Sequence, residues 1–318
     1  MIPGLSRFEN TESGIKRVVE AYHKYAASYG IEYVECPVED EHEYDLFAVH
    51  AGSSDRFPVH RPLVAIAHGL YWTADYDAHG SEWDTNAHVI ETIRRATMIT
   101  VPSPWVAETI RRDCRVDPVI LPHGINWKEW EHNEPNAGYV LWNKNRPGDV
   151  CTPEHMMTLA EMRPNVNFLT TFAAKSERPD ASNIAVTGVQ PHNVMKKMIQ
   201  QAGVYLSTTK ETFGIGVLEA MAAGTPVLGF AYGGNKDLIE HGVTGYLARP
   251  GDYDDLANGL DYCLKHRGIL SDNCKIEVQK LGWNNPARIL ASVYEQALRK
   301  WEDNQRPLKI DPESYLTS

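Results

Sequence analysis

No apolar run in the 318-residue sequence approaches the ~20 residues that span a bilayer, and the opening stretch MIPGLSRFENTESG has no apolar segment of the secretory type. Neither a membrane span nor a leader is expected. Cysteine is scarce: Cys36, Cys114, Cys151, Cys263 and Cys274 are scattered, odd in number and form no C-x-x-C. That excludes a disulfide framework and a cysteine zinc site, and points to a reducing, cytoplasmic setting. Positive charge is short as well. Residues 1–125 hold 11 Lys and Arg against 19 Asp and Glu, and residues 126–318 hold 20 against 23. Neither half has the basic excess that binding a nucleic-acid backbone needs, and no polybasic membrane-docking face stands out. There is no tandem repeat, no low-complexity segment and no H-E-x-x-H. The acidic pair Asp75-x-Asp77 lies in a loop-like stretch rather than between apolar strands. No metal and no other cofactor is expected.

What is present is a length suited to two domains of about 150 residues. GIKRVVEAYHKYAASY (14–29) has apolar residues at helical spacing. Short, non-alternating apolar runs follow at 31–36, 45–51, 63–69, 98–103 and 118–124, as buried parallel strands read. Helices fit at about 84–96 and 104–113, with Asp84 and Ser103 as caps. The pattern restarts with strands at 138–143, 165–172, 183–189, 203–208 and 226–230 and helices near 153–162 and 191–202. A helical tail begins near 252, and the polar stretch 125–137 serves as linker. Alternating strands and helices mean an α/β fold with right-handed crossovers, here two Rossmann-like domains.

The richest stretch is KETFGIGVLEAMAAGTPVLGFAYGG (210–234). The run 203–208 is the strand, KETFGIG the loop, and VLEAMAAG a short helix stopped by Gly224 and Pro226. In one continuous helix Glu211 and Glu219 would lie about 12 Å apart, but Thr212, Gly214 and Gly216 favour a turn. A turn lets both carboxylates face the crevice at the C-terminal end of a parallel strand, where open α/β sheets bind ligands. Backbone N–H groups of Gly214, Ile215, Gly216 and Val217 would open the helix, a ready site for a diphosphate. Glu219, one turn in, can accept two hydroxyls of a ribose diol. The plainer alternative is a glycine-rich turn with two solvated glutamates.

E-x7-E at Glu211 and Glu219, followed by AMAAGTPVLGFAYGG and DLIEHGVTGYLARPGD (237–252), resembles retaining glycosyltransferases of family 4, which have the GT-B fold. The resemblance is dense over 183–257 and continues more thinly through SGIKRVV (13–19), VAIAHG (64–69), ITVPSPWVAETI (99–110) and VILPHGIN (119–126). It implies two Rossmann-like domains with parallel sheets facing across a cleft: 1–128 on the acceptor side, 129–294 for the nucleotide sugar, and a helix at about 295–318 crossing back. It implies that Glu219 binds the nucleotide ribose and that Glu211 contacts the donor sugar or supports its reacting end. Phe213 to Val217 would give backbone contacts to phosphate and sugar, and Gly233, Gly234 and Asn235 would face the same cleft. His68, at a strand end, would come near donor sugar or acceptor, with a core histidine as the alternative. His123 reads as structural, and Gly14 faces donor phosphate or acceptor, or merely starts a helix. The loop Tyr71, Trp72, Asp75 and Tyr76 either stacks on sugar or packs. A base pocket is expected near Val189–His192.

The sequence departs from the family in LWNKNRPGD (141–149). Where the family has Gly-Arg and a later Lys-Gly, this chain has Asn143-Lys144-Asn145-Arg146, so Lys144 and Arg146 are the candidates to neutralise a leaving diphosphate. The first domain is short for the family, leaving only Met1–Leu5 for a first strand. The implied activity is metal-independent transfer of a sugar, with retention, from a UDP- or GDP-type nucleotide sugar to a carbohydrate or other acceptor hydroxyl. A nucleotide-sugar epimerase of the same fold and a non-catalytic nucleotide-sugar-binding subunit stand as alternatives.

Overall fold

A strand buried on both faces loses the alternation of apolar and polar residues, and five strands of the chain, fully buried along their length, follow that rule. In the computed structural model, which describes residues 14–34, 38–51, 56–70, 80–144, 151–172 and 181–305, there are two parallel sheets. The first contains β1 (Phe47–His50), β2 (Leu63–Ile66), β3 (Met98–Val101) and β4 (Val119–Ile120), in that order. Every residue of β1 and β2 is buried. Helix α1 (Gly14–Ala26) precedes β1, α2 (Ser81–Arg95) joins β2 to β3, and α3 (Pro104–Cys114) joins β3 to β4. The second sheet is built from β5 (Val140–Trp142), β6 (Phe168–Thr170), β7 (Ile184–Val186), β8 (Val204–Ser207), β9 (Val227–Phe230) and β10 (Gly245–Ala248), in the order β10-β9-β8-β5-β6-β7. Its helices are α4 (Glu154–Met162), α5 (His192–Gln201), α6 (Ile215–Ala222), α7 (Asn235–Leu238), α8 (Tyr253–Lys265) and α9 (Arg267–Glu277). Helix α10 (Asn284–Gln305) closes the described chain.

Each sheet is sandwiched. Val18 and Tyr22 of α1 meet Val64 and Ile66, together with Leu290 and Tyr294 of α10. Val89, Ile93, Val106 and Ile110 of α2 and α3 cover the other face. In the second sheet, Leu141, Tyr205 and Val227 face α5 and α6, while Trp142, Phe168 and Leu206 face α4 and α8. Helix α10 thus packs on the first sheet although it follows the second in sequence. Its approach runs beside the earlier interdomain segment: Ile125 N–H donates to Leu281 O at 2.9 Å. A side chain on Gly124 would sit 2.6 Å from the Cα of Trp283.

Several expectations are corrected. Residues 31–34 are not a strand; Ile31 and Tyr33 pack against the α10 core, where the Tyr33 and Tyr294 hydroxyls bond at 2.8 Å, while Val34 is exposed. Strand 118–124 shrinks to β4, since Pro118 and Pro122 lack the N–H a ladder needs. Helix α2 begins three residues before Asp84, which lies in its first turn instead of capping it. Ser103 does cap α3, accepting from Val106 N–H at 3.3 Å, with Pro104 at the first helical position. The short helix after the glycine turn starts at Ile215, not Val217. β10 and α7 have no counterpart in the sequence reading, while α8, α9 and α10 make up the helical tail expected from about 252. The proposed strand Met1–Leu5 and the loop holding Tyr71, Trp72, Asp75, Tyr76 and Asp77 lie outside the described residues.

Candidate active site

In the second sheet β5 lies between β6 and β8, so the order reverses between β5 and β8. Chains leaving the C-terminal ends of those two strands diverge and open a crevice, the usual ligand position of an open α/β sheet. The residues leaving β5 are Asn143 and Lys144; those leaving β8 lead through Glu211 to α6. Lys144 Nζ makes an ion pair with Glu211 Oε1 across this gap. Beneath it, the buried Tyr205 donates its hydroxyl proton to Asn143 Oδ1 at 2.6 Å. Burial works against the Lys144 charge, but the Glu211 carboxylate outweighs it and holds the ammonium above an ordinary lysine. Burial pushes the Tyr205 phenol up to about 12.

The glycine turn is shaped by contacts that leave no room for side chains. Gly214 takes φ 103° as the residue before α6, a conformation glycine adopts without strain. A Cβ on Gly216 would stand 2.1 Å from the Tyr205 hydroxyl. Phe213 and Val217 are buried beside them. Gly234 passes so near that a Cβ would meet Phe213 O at 2.2 Å, and its N–H donates to Glu211 O at 2.7 Å. Asn235 corrects an expectation: it is fully buried and spends its amide on Ser207 and on the carbonyls of Ser207 and Phe230. The Gly233-Gly234-Asn235 segment therefore buttresses the 211–213 loop from behind.

Glu219, 5% exposed, is reached from the first domain. Arg17 of α1 pairs with its Oε1 and also bonds His192 Nε2, and His192 Nε2 lies 3.5 Å from the same carboxylate oxygen. Gly14, at the start of α1, faces the start of α6: a Cβ there would be 3.3 Å from Ile215 Cδ1. The N-terminus of α6 thus opens beside α1, and its dipole favours an anion there. Beside them is a cavity of about 300 Å³ whose lining includes Arg17, Asn126, Trp130, His192, Ile215 and Glu219. Val189 is 74% exposed, and it is His192, three residues on, that reaches the cluster.

His68 follows β2 and keeps a partly open edge, while its ring lies among buried groups. His50 Nδ1 is 3.3 Å from His68 Nε2, the His68 and His123 rings are 5.5 Å apart, and His123 meets Phe213 edge-on at 4.8 Å. Burial pushes His68 down to about 4; burial, then the neighbouring imidazole of His68, holds His50 and His123 well below the usual range. This row is neutral, and it ends at the turn that carries the glutamates. Gly69 and Ser103 touch the same turn. A Cβ on Gly69 would be 2.4 Å from Thr212 Cγ2, and Ser103 Oγ donates to Thr212 O at 2.6 Å.

Of the sequence candidates, Gly14, Asn143, Lys144, Glu211, Phe213, Gly214, Ile215, Gly216, Val217 and Glu219 line this region, with His68 beside it. Arg146 lies outside the described residues. Sequence reasoning missed Arg17, His50 and Tyr205. Arg17 sits one turn after Gly14 on the same helix face, a signal that spacing alone offered.

Two parallel-sheet domains of this kind, facing across a cleft, define the GT-B architecture. Residues 173–281 match the family described as glycosyl transferases group 1. An uncharacterized glycosyltransferase of Methanocaldococcus jannaschii is 37% identical over 111 residues, 33% of this chain and 28% of that protein. The N-acetyl-alpha-D-glucosaminyl L-malate synthase of Bacillus anthracis is 36% identical over 104 residues, 33% of this chain and 24% of that one. The chain thus matches about a quarter of the length of these relatives. Among solved structures, sucrose-phosphate synthase from Thermosynechococcus elongatus superposes with a TM-score of 0.66 at 21% identity, covering 94% of this chain and 81% of that one. The Anabaena protein HepE in complex with UDP-glucose gives 0.66 at 18% identity, covering 81% and 80%.

Proposed function

We propose that the chain is a retaining glycosyltransferase of family 4 that moves a sugar from a UDP- or GDP-type nucleotide sugar to an acceptor hydroxyl. One observation carries the reading: at the switch point of the second sheet, Glu211, the N-terminus of α6 and Glu219 stand together opposite Lys144. The donor occupies residues 129–294 and the acceptor approaches from 1–128. The ribose diol binds Glu219, whose carboxylate exchanges Arg17 for two hydroxyls. The diphosphate lies at the α6 N-terminus, near Gly14, with Lys144 and Arg146 stabilising its charge as the glycosidic bond loosens. The acceptor attacks from the face the diphosphate leaves, and a departing phosphate oxygen takes its proton. These basic groups and helix ends do the work of a metal ion, so the transfer runs without one. The relatives named as glycosyltransferases and the neighbour holding UDP-glucose support this reading. Cys114, Cys263 and Cys274 are free thiols, and among the described residues no helix is long and apolar enough to cross a membrane; both fit a cytoplasmic enzyme.

The test is nucleoside diphosphate release from UDP-, GDP- and ADP-sugars with mixed acceptors, for wild type and Glu219→Ala, with and without EDTA. Release from one donor, lost in the variant and indifferent to EDTA, is the expected result. A thermal shift with one nucleotide but no release from any donor would overturn transfer in favour of epimerisation or simple binding.

A further inference from the structure

At the opposite end of the first sheet, three metal-ligating side chains converge. Residues 38–43 form a short 3-10 segment ahead of β1, and residues 59–61 lead into β2. The two strands are parallel, so both segments lie at the N-terminal edge of the sheet, while His68 and the cleft lie beyond the C-terminal edge.

Glu41 is 8% exposed, rare for a carboxylate. Its Oε2 accepts from Val59 N–H at 2.7 Å and His60 N–H at 3.1 Å, which fixes the carboxylate plane. Oε1 is left pointing at His60 Nε2, 3.8 Å away. The His42 and His60 rings stack with centroids 5.1 Å apart and planes 21° from parallel. One ligand atom from each of Glu41, His42 and His60 lies within 4.8 Å of the others. Arg61 braces the main chain behind them, donating from Nε to Glu41 O at 3.2 Å and from Nη2 to His42 O at 3.0 Å. Its charge is spent on carbonyls, and the carboxylate oxygen stays with the two imidazoles.

We propose that Glu41, His42 and His60 form a binding site for a divalent transition-metal ion of the zinc class. Two imidazole nitrogens and one carboxylate oxygen are a borderline donor set that suits zinc and its neighbours better than magnesium or calcium. Metal–ligand bonds of about 2.0–2.2 Å bring neighbouring ligand atoms to roughly 3–3.5 Å, so closure moves them by about an ångström. His42 and His60 are exposed and free to make that shift. The backbone bonds to Oε2 supply the outer-shell support that ligating carboxylates need. Water completes the coordination on the open side. The ion ties the 38–43 segment to the approach of β2 and braces the sheet edge, a structural role independent of transfer in the cleft.

The experiment uses the untagged full chain, stripped with chelator and dialysed. Zn²⁺ is titrated by calorimetry and Co²⁺ by its visible d–d absorption, in wild type, His42→Ala, His60→Ala and Glu41→Gln. The Glu41→Gln variant keeps an acceptor for the Val59 and His60 amides, and far-UV circular dichroism verifies the fold of every variant. One Zn²⁺ per chain is expected, with a Co²⁺ band that Zn²⁺ displaces. Binding should be lost in either histidine variant and weakened at least about tenfold in Glu41→Gln. Absence of stoichiometric uptake by wild type would overturn the proposal. So would uptake unchanged in all three variants, which would place the ion elsewhere.

Discussion

Arg17 and Glu219, 202 positions apart, form an ion pair that joins α1 of the first domain to α6 of the second. The pair is asymmetric: the Arg17 side chain is 34% exposed and that of Glu219 only 7%. Removing Arg17 leaves a nearly buried carboxylate with the imidazole of His192 alone. Arg17→Ala is therefore expected to lower unfolding free energy by about 1–3 kcal/mol, below the figure for a fully buried pair because water screens the arginine. Urea denaturation measures it, and adding Glu219→Ala should recover part of the loss in a double-mutant cycle.

Lys144 makes a second prediction. Its charge is held by Glu211 and does not titrate near neutrality. Lys144→Met should reduce the rate of nucleoside diphosphate release about 10²–10³-fold, the usual cost of one preorganised charge-stabilising group. KM for the donor should change far less. An equal change in KM with kcat preserved would mean that Lys144 merely holds the ground state.

Gly216 packs so tightly on the Tyr205 hydroxyl that Gly216→Ala should destabilise the fold by about 1–3 kcal/mol, as overpacked cores do. Tyr205→Phe removes the clashing oxygen together with its bond to Asn143. The double variant should be more stable than Gly216→Ala alone, which thermal denaturation reads directly. Gly234→Ala, which meets the Phe213 carbonyl, has no such relief.

The histidine row sets a pH dependence. His50, His68 and His123 are neutral in the fold, with depressed pKa values, so the unfolded chain binds more protons below its own value of about 6.5. Stability is then full above pH 6.5 and falls as pH drops from about 6.5 towards 4, the value to which His68 is pushed. Each histidine contributes a slope of up to about 1.4 kcal/mol per pH unit. Urea midpoints at pH 7 and pH 5 should show the loss, and His68→Gln should make the profile shallower.

The alternation of strand and helix was plain in the sequence because apolar runs such as LVAI and VYLS have no polar face and leave buried parallel strands as their natural reading. The glycine turn was equally legible, since Gly214 and Gly216 beside Glu211 in KETFGIG, with Glu219 in the helix that follows, suit few other purposes. Local chemistry also found the Ser103-Pro104 cap. What spacing could not supply was contact between distant segments. Ile31 and Tyr33 read as strand residues, and only the presence of α10 shows why they pack on a helix instead. Asn235 looked like a cleft residue because it follows a strand end, yet its amide is consumed by Ser207 and Phe230. Arg17 stood in plain view one turn from Gly14, but its partner is 202 residues away.

Helix α10 follows the second domain in sequence and completes the core of the first, with Leu290, Val293, Tyr294 and Ala297 packed on Val18, Tyr22 and Val64. During synthesis the face that α1 covers therefore lacks its second helix until the chain has been made through residue 297. The second domain, whose own helices are local, can fold while the first waits. The half of the molecule that is made first is thus the half whose core needs residues from beyond the other.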